Sequence, residues 1–178
     1  FEAIRSIPKI IQMIDRNMYS ETYGCFDREF WHYKVSDFPC GMSQEFCLPL
    51  ALVYEHNYPQ NHFYKKERLK ELVHASINFS IFSSHSDGSC DDYFPYEKAL
   101  GASVFSGYAM SESYLVLSLN DKKFIDFFER RADWLINNNE TGKLSNHQAL
   151  AALFLYNVFL LTNKKKYKLA SDTYKEIL

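Results

Sequence analysis

The chain has 178 residues, a length suited to one domain, with 47% hydrophobic and 24% charged residues, a balance that excludes a disordered or fibrous protein. A net charge of −2 supplies no broad positive field, which argues against nucleic acid as a partner. The most apolar stretch, 149–161, is interrupted by Asn157 and falls short of the ~20 residues a bilayer demands, which argues against a membrane partner too.

The first predicted element is a helix over 7–18, with Ser6 as its cap and Pro8 tolerated near its start. After a long connection, 19–45, comes an apolar helix over 46–57. Pro49 fits only its first turn, which puts the start near Cys47. Over 63–82, Leu69, Leu72, Val73, Ser76, Ile77 and Ile81 make an apolar stripe opposite Lys65, Lys66, Glu67, Lys70 and Glu71, as on an amphipathic surface helix. A second connection, 83–97, leads to a helix over 98–118. It is rich in small residues (Gly101, Ala102, Ser103, Ser106, Gly107), which let neighbouring helices approach closely. Residues 121–136 are amphipathic on Phe124, Phe128, Ala132 and Leu135, with Asn120 or Asp121 as cap. A third connection, 137–146, precedes a helix over 148–161 that is apolar nearly all round and so predicted to be buried on every side. The last helix, 164–178, is amphipathic on Tyr167, Ala170, Tyr174 and Leu178.

Buried and amphipathic helices thus alternate. Asn120-Asp121-Lys122-Lys123-Phe124 is echoed 43 residues on by Asn163-Lys164-Lys165-Lys166-Tyr167, a spacing of one helical hairpin per repeat. The predicted fold is all-α: antiparallel helical hairpins over 1–178 forming part of an α/α toroid or solenoid. A chain that begins at Phe1 reads as part of a longer protein, whose remainder is then an expected partner. No C-x-x-C pair occurs among Cys25, Cys40, Cys47 and Cys90, so neither a metal site nor a cofactor is expected. Reduced, buried thiols would suit the cytoplasm, although all four lie close enough to the long loops to pair. Asn78-Phe79-Ser80 and Asn139-Glu140-Thr141 match the glycosylation sequon, a short motif that arises often by chance.

The turns at 58–63, 119–121 and 162–164 are predicted to be short, whereas 19–45, 83–97 and 137–146 are longer. Antiparallel hairpins bring those three to one end, and their many aromatics argue against disorder. In the first, Trp31 and Tyr33 are placed to stack on a sugar face, with Arg28, His32 and Lys34 to bind a carboxylate; the alternative is a loop that pairs its own groups, Asp27 with Arg28. In the second, Asp87, Asp91, Asp92 and Glu97 suit acid–base work or cation binding, or else cap the local turns. Tyr93 and Tyr96 stand beside them. In the third, Ser145 and Gln148 fit a capping box, which sets Asn146 and His147 in the first turn of a buried helix, with His147 a candidate base.

These hairpins, the Asp-Gly-Ser run at 87–89 with acidic and Tyr/Pro residues after it, and Ser-Asn-His-Gln at 145–148 resemble α/α-toroid carbohydrate-active proteins, notably heparinase II/III-like and alginate-lyase-like polysaccharide lyases. The resemblance implies an Asn that neutralises a uronate carboxylate (Asn146), a His that takes the C5 proton (His147) and a Tyr that serves the leaving oxygen (Tyr93 or Tyr96); His32 of the first loop is an alternative base on its position alone. The expected function is to bind or cleave a polysaccharide or oligosaccharide at the rim of the three loops. One alternative is a glycoside hydrolase using paired carboxylates, Asp92 with Glu97 or Glu45. Another is a helical-repeat scaffold that grips a protein.

Overall fold

A computed structural model describes residues 2–138, 142 and 144–176. Among them every regular element is helical: α1 (Glu2–Met13), α2 (Arg28–Trp31), a 3₁₀ helix (Gly41–Phe46), α3 (Cys47–Glu55), α4 (Glu67–Ser83), α5 (Leu100–Val116), α6 (Lys122–Asn137), α7 (Ser145–Thr162) and α8 (Lys165–Glu176). The sequon at 139–141 and the last two residues of the expected tail helix lie outside the described residues.

Three successive hairpins, α3–α4, α5–α6 and α7–α8, make two layers. In the inner layer α5 packs against both α3 and α7; α4 and α6 pack against each other in the outer layer. The sequence accounts for both. Leu50, Ala51, Val53 and Tyr54 bury most of α3, and the small residues of α5 are buried between its neighbours. α6 turns only one face inward, through Phe124, Phe127, Phe128, Ala132 and Leu135. Each fully buried Phe contributes about 2–3 kcal/mol of hydrophobic stabilisation, so this one face anchors the outer layer. Asp121 caps α6, its Oδ1 accepting from Lys123 N at 2.9 Å.

Several sequence-based boundaries shift. The first helix occupies Glu2–Met13, not 7–18, so Ser6 lies inside it and is no cap. The α3–α4 connection is longer than expected, a run of turns over 56–66 tied back to α3 by Asn61 Nδ2 on Val53 O (2.6 Å) and His56 O (2.8 Å). α7 begins at Ser145, with Leu144 in the cap position and no side-chain cap, so the expected capping box is not formed. Nor is α7 buried on every side: Leu153, Tyr156 and Leu160 reach solvent.

Candidate functional site

The first loop is held down by its own polar groups. Gly24 (φ +95°) lies against α4 so closely that a Cβ would come within 2.3 Å of Ala75 O, where only glycine fits. The buried Gln44 completes the anchor: its Nε2 donates to Gly24 O (3.1 Å) and Ser76 O (2.9 Å), and its Oε1 accepts from Phe26 N (2.8 Å). Trp31 Nε1 donates to Met13 O at 2.8 Å, tying α2 to the end of α1. Asp27 does not pair with Arg28. Its Oδ1 caps α2 through Glu29 N and Phe30 N, and its Oδ2 accepts from Cys40 N.

The second loop hangs on a buried cation. Arg131 is 1% exposed and has no carboxylate partner among the described residues. Its guanidinium donates to Gly88 O (2.6 Å), Ser106 Oγ (2.8 Å) and Ser84 Oγ (3.0 Å), and lies over the Phe127 ring at 4.7 Å. Gly88 (φ +87°) rests directly on the Arg131 backbone. The carboxylates fold the rest. Asp91 accepts from His85 Nε2 (2.8 Å), Tyr96 N (2.8 Å) and Lys98 N (3.0 Å). Burial alone would raise its pKa, but these donors hold it below the ordinary value. Asp87 is likewise opposed by burial, yet Lys98 Nζ (2.7 Å) and Ser89 bring it down to about 2. Glu97 Oε2 gathers Asp92 N, Tyr93 N and Phe94 N. So tied, Tyr96 (φ 64°) and Lys98 (φ 51°) sit in the left-handed region, a conformation that costs a non-glycine residue about 1–2 kcal/mol. Tyr93 and Tyr96 point outward, 76% and 84% exposed.

The two loops meet where Gly41 N donates to Asp91 O (2.8 Å) and the Cys40 thiol donates to Asp92 Oδ1 (2.9 Å). Burial, then this hydrogen bond, pushes Cys40 up to about 11. Between the loops lies a cleft of about 1060 Å³. Arg28, Asp91, Asp92, Tyr93 and Tyr96, all expected from the sequence, line it, as does Asp27. Glu29, Asp37 and Phe38 also line it, and the sequence reading gave them no role. Nothing in their spacing marks them; only the folding of α2 against the 35–40 segment brings them together. The carboxylates of Glu29 and Asp37 make no ion pair among the described residues. Arg28 is equally unpaired: its buried Nε has no hydrogen-bond partner, and its guanidinium stands 5.1 Å over the Tyr33 ring.

The other expected site residues lie outside the cleft. Trp31 is tied to Met13 O through its Nε1, and His32 packs on the rings of Trp31 and Tyr33. Lys34 lies over Phe30. Asp87 and Glu97 are spent on the second loop. Glu45 sits apart, half-buried, its carboxyl pushed up by burial. The expected pairs Asp92 with Glu97 or Glu45 therefore do not face each other across the cleft. Asn146 and His147 do not line it either: His147 lies over Gly101 with its ring edge-on to Phe105, centroids 5.7 Å apart. Among the described residues, the loops that line the cleft are the first two of the three expected at the rim; residues 139–141 and 143 of the third lie outside the described residues. Among the described residues no group of three or more His, Cys, Asp or Glu is placed to hold a metal ion, and no helix is long and apolar enough to cross a membrane.

The cleft offers five carboxylates (Asp27, Glu29, Asp37, Asp91, Asp92) against one guanidinium, with tyrosines at its mouth. Such a surface can accept hydrogen bonds from a polyhydroxylated ligand and stack on its apolar faces. No known protein family, curated protein or solved structure matches this chain.

Proposed function

We propose that the cleft between the first two loops binds an oligosaccharide. The observation that carries this reading is the pair of exposed tyrosines, Tyr93 and Tyr96, on a hydrogen-bonded loop strained at Tyr96, sharing a cleft with Glu29 and Asp37, whose carboxylates hold no part of the fold. A loop gains no stability by presenting two aromatic rings to water; a ligand that stacks on them gives the arrangement a use. Glu29 and Asp37 then accept hydroxyl hydrogen bonds, and Arg28 supplies the one donor fork. The excess of negative charge favours neutral over uronate chains, because like charge repels an acidic polymer.

Catalysis is a second step on the same reading. Asp92, Glu29 and Asp37 are the carboxylates available to a hydrolase there, whereas a lyase would have to bring the His147 region to the substrate. Thermal shift and calorimetric titration with neutral and acidic oligosaccharides test the binding. Saturable binding of a neutral chain, weakened about tenfold or more by Tyr96→Ala, is the expected result. Indifference to every glycan overturns the reading and leaves the protein-binding scaffold.

A further inference from the structure

α7 differs from the other two inner helices in one respect. No apolar residue of α3 or α5 is exposed, yet α7 shows solvent Leu153 (44%), Tyr156 (37%) and Leu160 (52%). Extended backwards through half-buried Ala149 to exposed Asn146, these positions are spaced 3, 4, 3 and 4 residues apart. That is the a/d spacing of a seam on which one helix packs along another. The outer and inner neighbours of α7 already occupy its other sides: Asn157 faces α5, and Ala152 O accepts from Ser171 Oγ of α8.

We infer that this seam is the contact between two copies of the chain, paired as a symmetric dimer with their α7 helices parallel. The charges beside the seam select the partner and its direction. On the α5 flank stands Glu112, which has no cation partner among the described residues and whose Oε2 is fixed by Asn157 Nδ2 at 2.9 Å. On the α8 flank stands Lys175, its Nζ 5.1 Å from the centre of the Tyr156 ring; Asp172 pairs with it at 3.2 Å but also with Lys168 at 3.0 Å, so these three residues leave the flank with a net positive charge. Acid and base therefore lie at the same level of α7 on opposite sides of it. A two-fold axis running along α7 keeps that level and exchanges the flanks, setting each Glu112 toward the other copy's Lys175. A two-fold axis across α7 makes the helices antiparallel and sets Glu112 toward Glu112, which like charge disfavours. Parallel pairing also stacks Leu153, Tyr156 and Leu160 each on its own copy. None of the residues lining the oligosaccharide cleft lies on α7, so this contact leaves the cleft open.

The test is sedimentation velocity over a concentration series, with circular dichroism to confirm the fold of each variant. Wild type is expected to dimerise with increasing concentration. Leu160→Asp, at an exposed position that the fold does not use, weakens the dimer about tenfold or more. Glu112→Lys and Lys175→Glu each weaken it, and the double reversal restores it. Oxidised Leu160→Cys forms a disulfide-linked dimer, because parallel pairing brings the two positions together. A wild type that stays monomeric at near-millimolar concentration overturns the inference. So does a dimer indifferent to Leu160→Asp, and one in which Leu160→Cys fails to cross-link refutes the parallel arrangement.

Discussion

The first and second loops carry similar numbers of carboxylates but commit different shares of them to the fold: most in the second loop, Asp27 but neither Glu29 nor Asp37 in the first. In the second, Asp87, Asp91 and Glu97 together take hydrogen bonds from eight backbone or side-chain donors besides Ser89 Oγ, and the loop owes its shape to them. In the first, the shape comes from Gly24, Gln44, Trp31 and Asp27, which leaves Glu29 and Asp37 unengaged. A carboxylate that accepts backbone N–H groups holds the chain; one that accepts none is available to a ligand. The number of acids in a loop does not separate the two kinds, but their partners do.

The anchors give the most severe way to break this contrast. Gly24→Ala puts a methyl within 2.3 Å of Ala75 O at a positive φ, and it is expected to cost about 3 kcal/mol or more in urea unfolding. Gly142→Ala, which meets nothing within 4 Å, serves as the neutral control. Should Gly24→Ala prove harmless, the first loop is not held as described, and the cleft wall it supplies loses its basis.

A gentler pair separates the two kinds of carboxylate directly. Asp91→Asn disturbs the hydrogen bonds from His85, Tyr96 N and Lys98 N, and it is expected to cost about 1–2 kcal/mol in the same assay. Asp37→Asn is expected to change stability by less than about 0.5 kcal/mol while weakening oligosaccharide binding in calorimetry. If both variants behave alike, the distinction between holding and binding carboxylates fails.

Acid sharpens the comparison further. Asp87 lies at about 2 in the fold against an ordinary 3.8, and Asp91 is lowered as well. A lowered carboxyl stabilises the fold above its unfolded pKa, and that contribution disappears as pH falls through the folded value. Stability should therefore decline between about pH 4 and pH 2, less steeply in Asp87→Asn. The Asp87–Lys98 pair is partly exposed, so solvent screening keeps its share small. Equal acid limbs in the wild type and the variant would show that Asp87 titrates normally.

Much of the helical framework could be read from the residues alone. Phe124, Phe128, Ala132 and Leu135 recur at helical spacing and do face the core, and Pro49 correctly marks the first turn of α3. The all-round apolar sequence of α7 misled for a physical reason. Hydrophobicity shows that a face avoids water, not whether this chain has an element to cover it. The site was less legible, because Trp31 and Asp27 have the residue types of a binding site yet serve as fasteners. Whether an indole stacks on a ligand or donates to Met13 O depends on where α1 ends, and the periodicity misplaced that boundary by several residues.

The smallest expected effect concerns Cys40, the one thiol in the cleft wall. Burial and the hydrogen bond to Asp92 raise it to about 11, so at neutral pH it is protonated and a poor nucleophile. Cys25 and Cys47 stand at about 12, chiefly through burial, and should remain unlabelled in the folded protein. Asp92→Asn removes one of the two main causes at Cys40 but not the burial, so labelling by a thiol reagent should accelerate modestly, about threefold to tenfold. The same reaction reports on the cleft: a bound oligosaccharide covers Cys40 and slows its labelling, and Tyr96→Ala should abolish that protection. Labelling that ignores both Asp92→Asn and the ligand would separate Cys40 from the cleft and leave the Gly41 N–Asp91 O hydrogen bond to join the two loops.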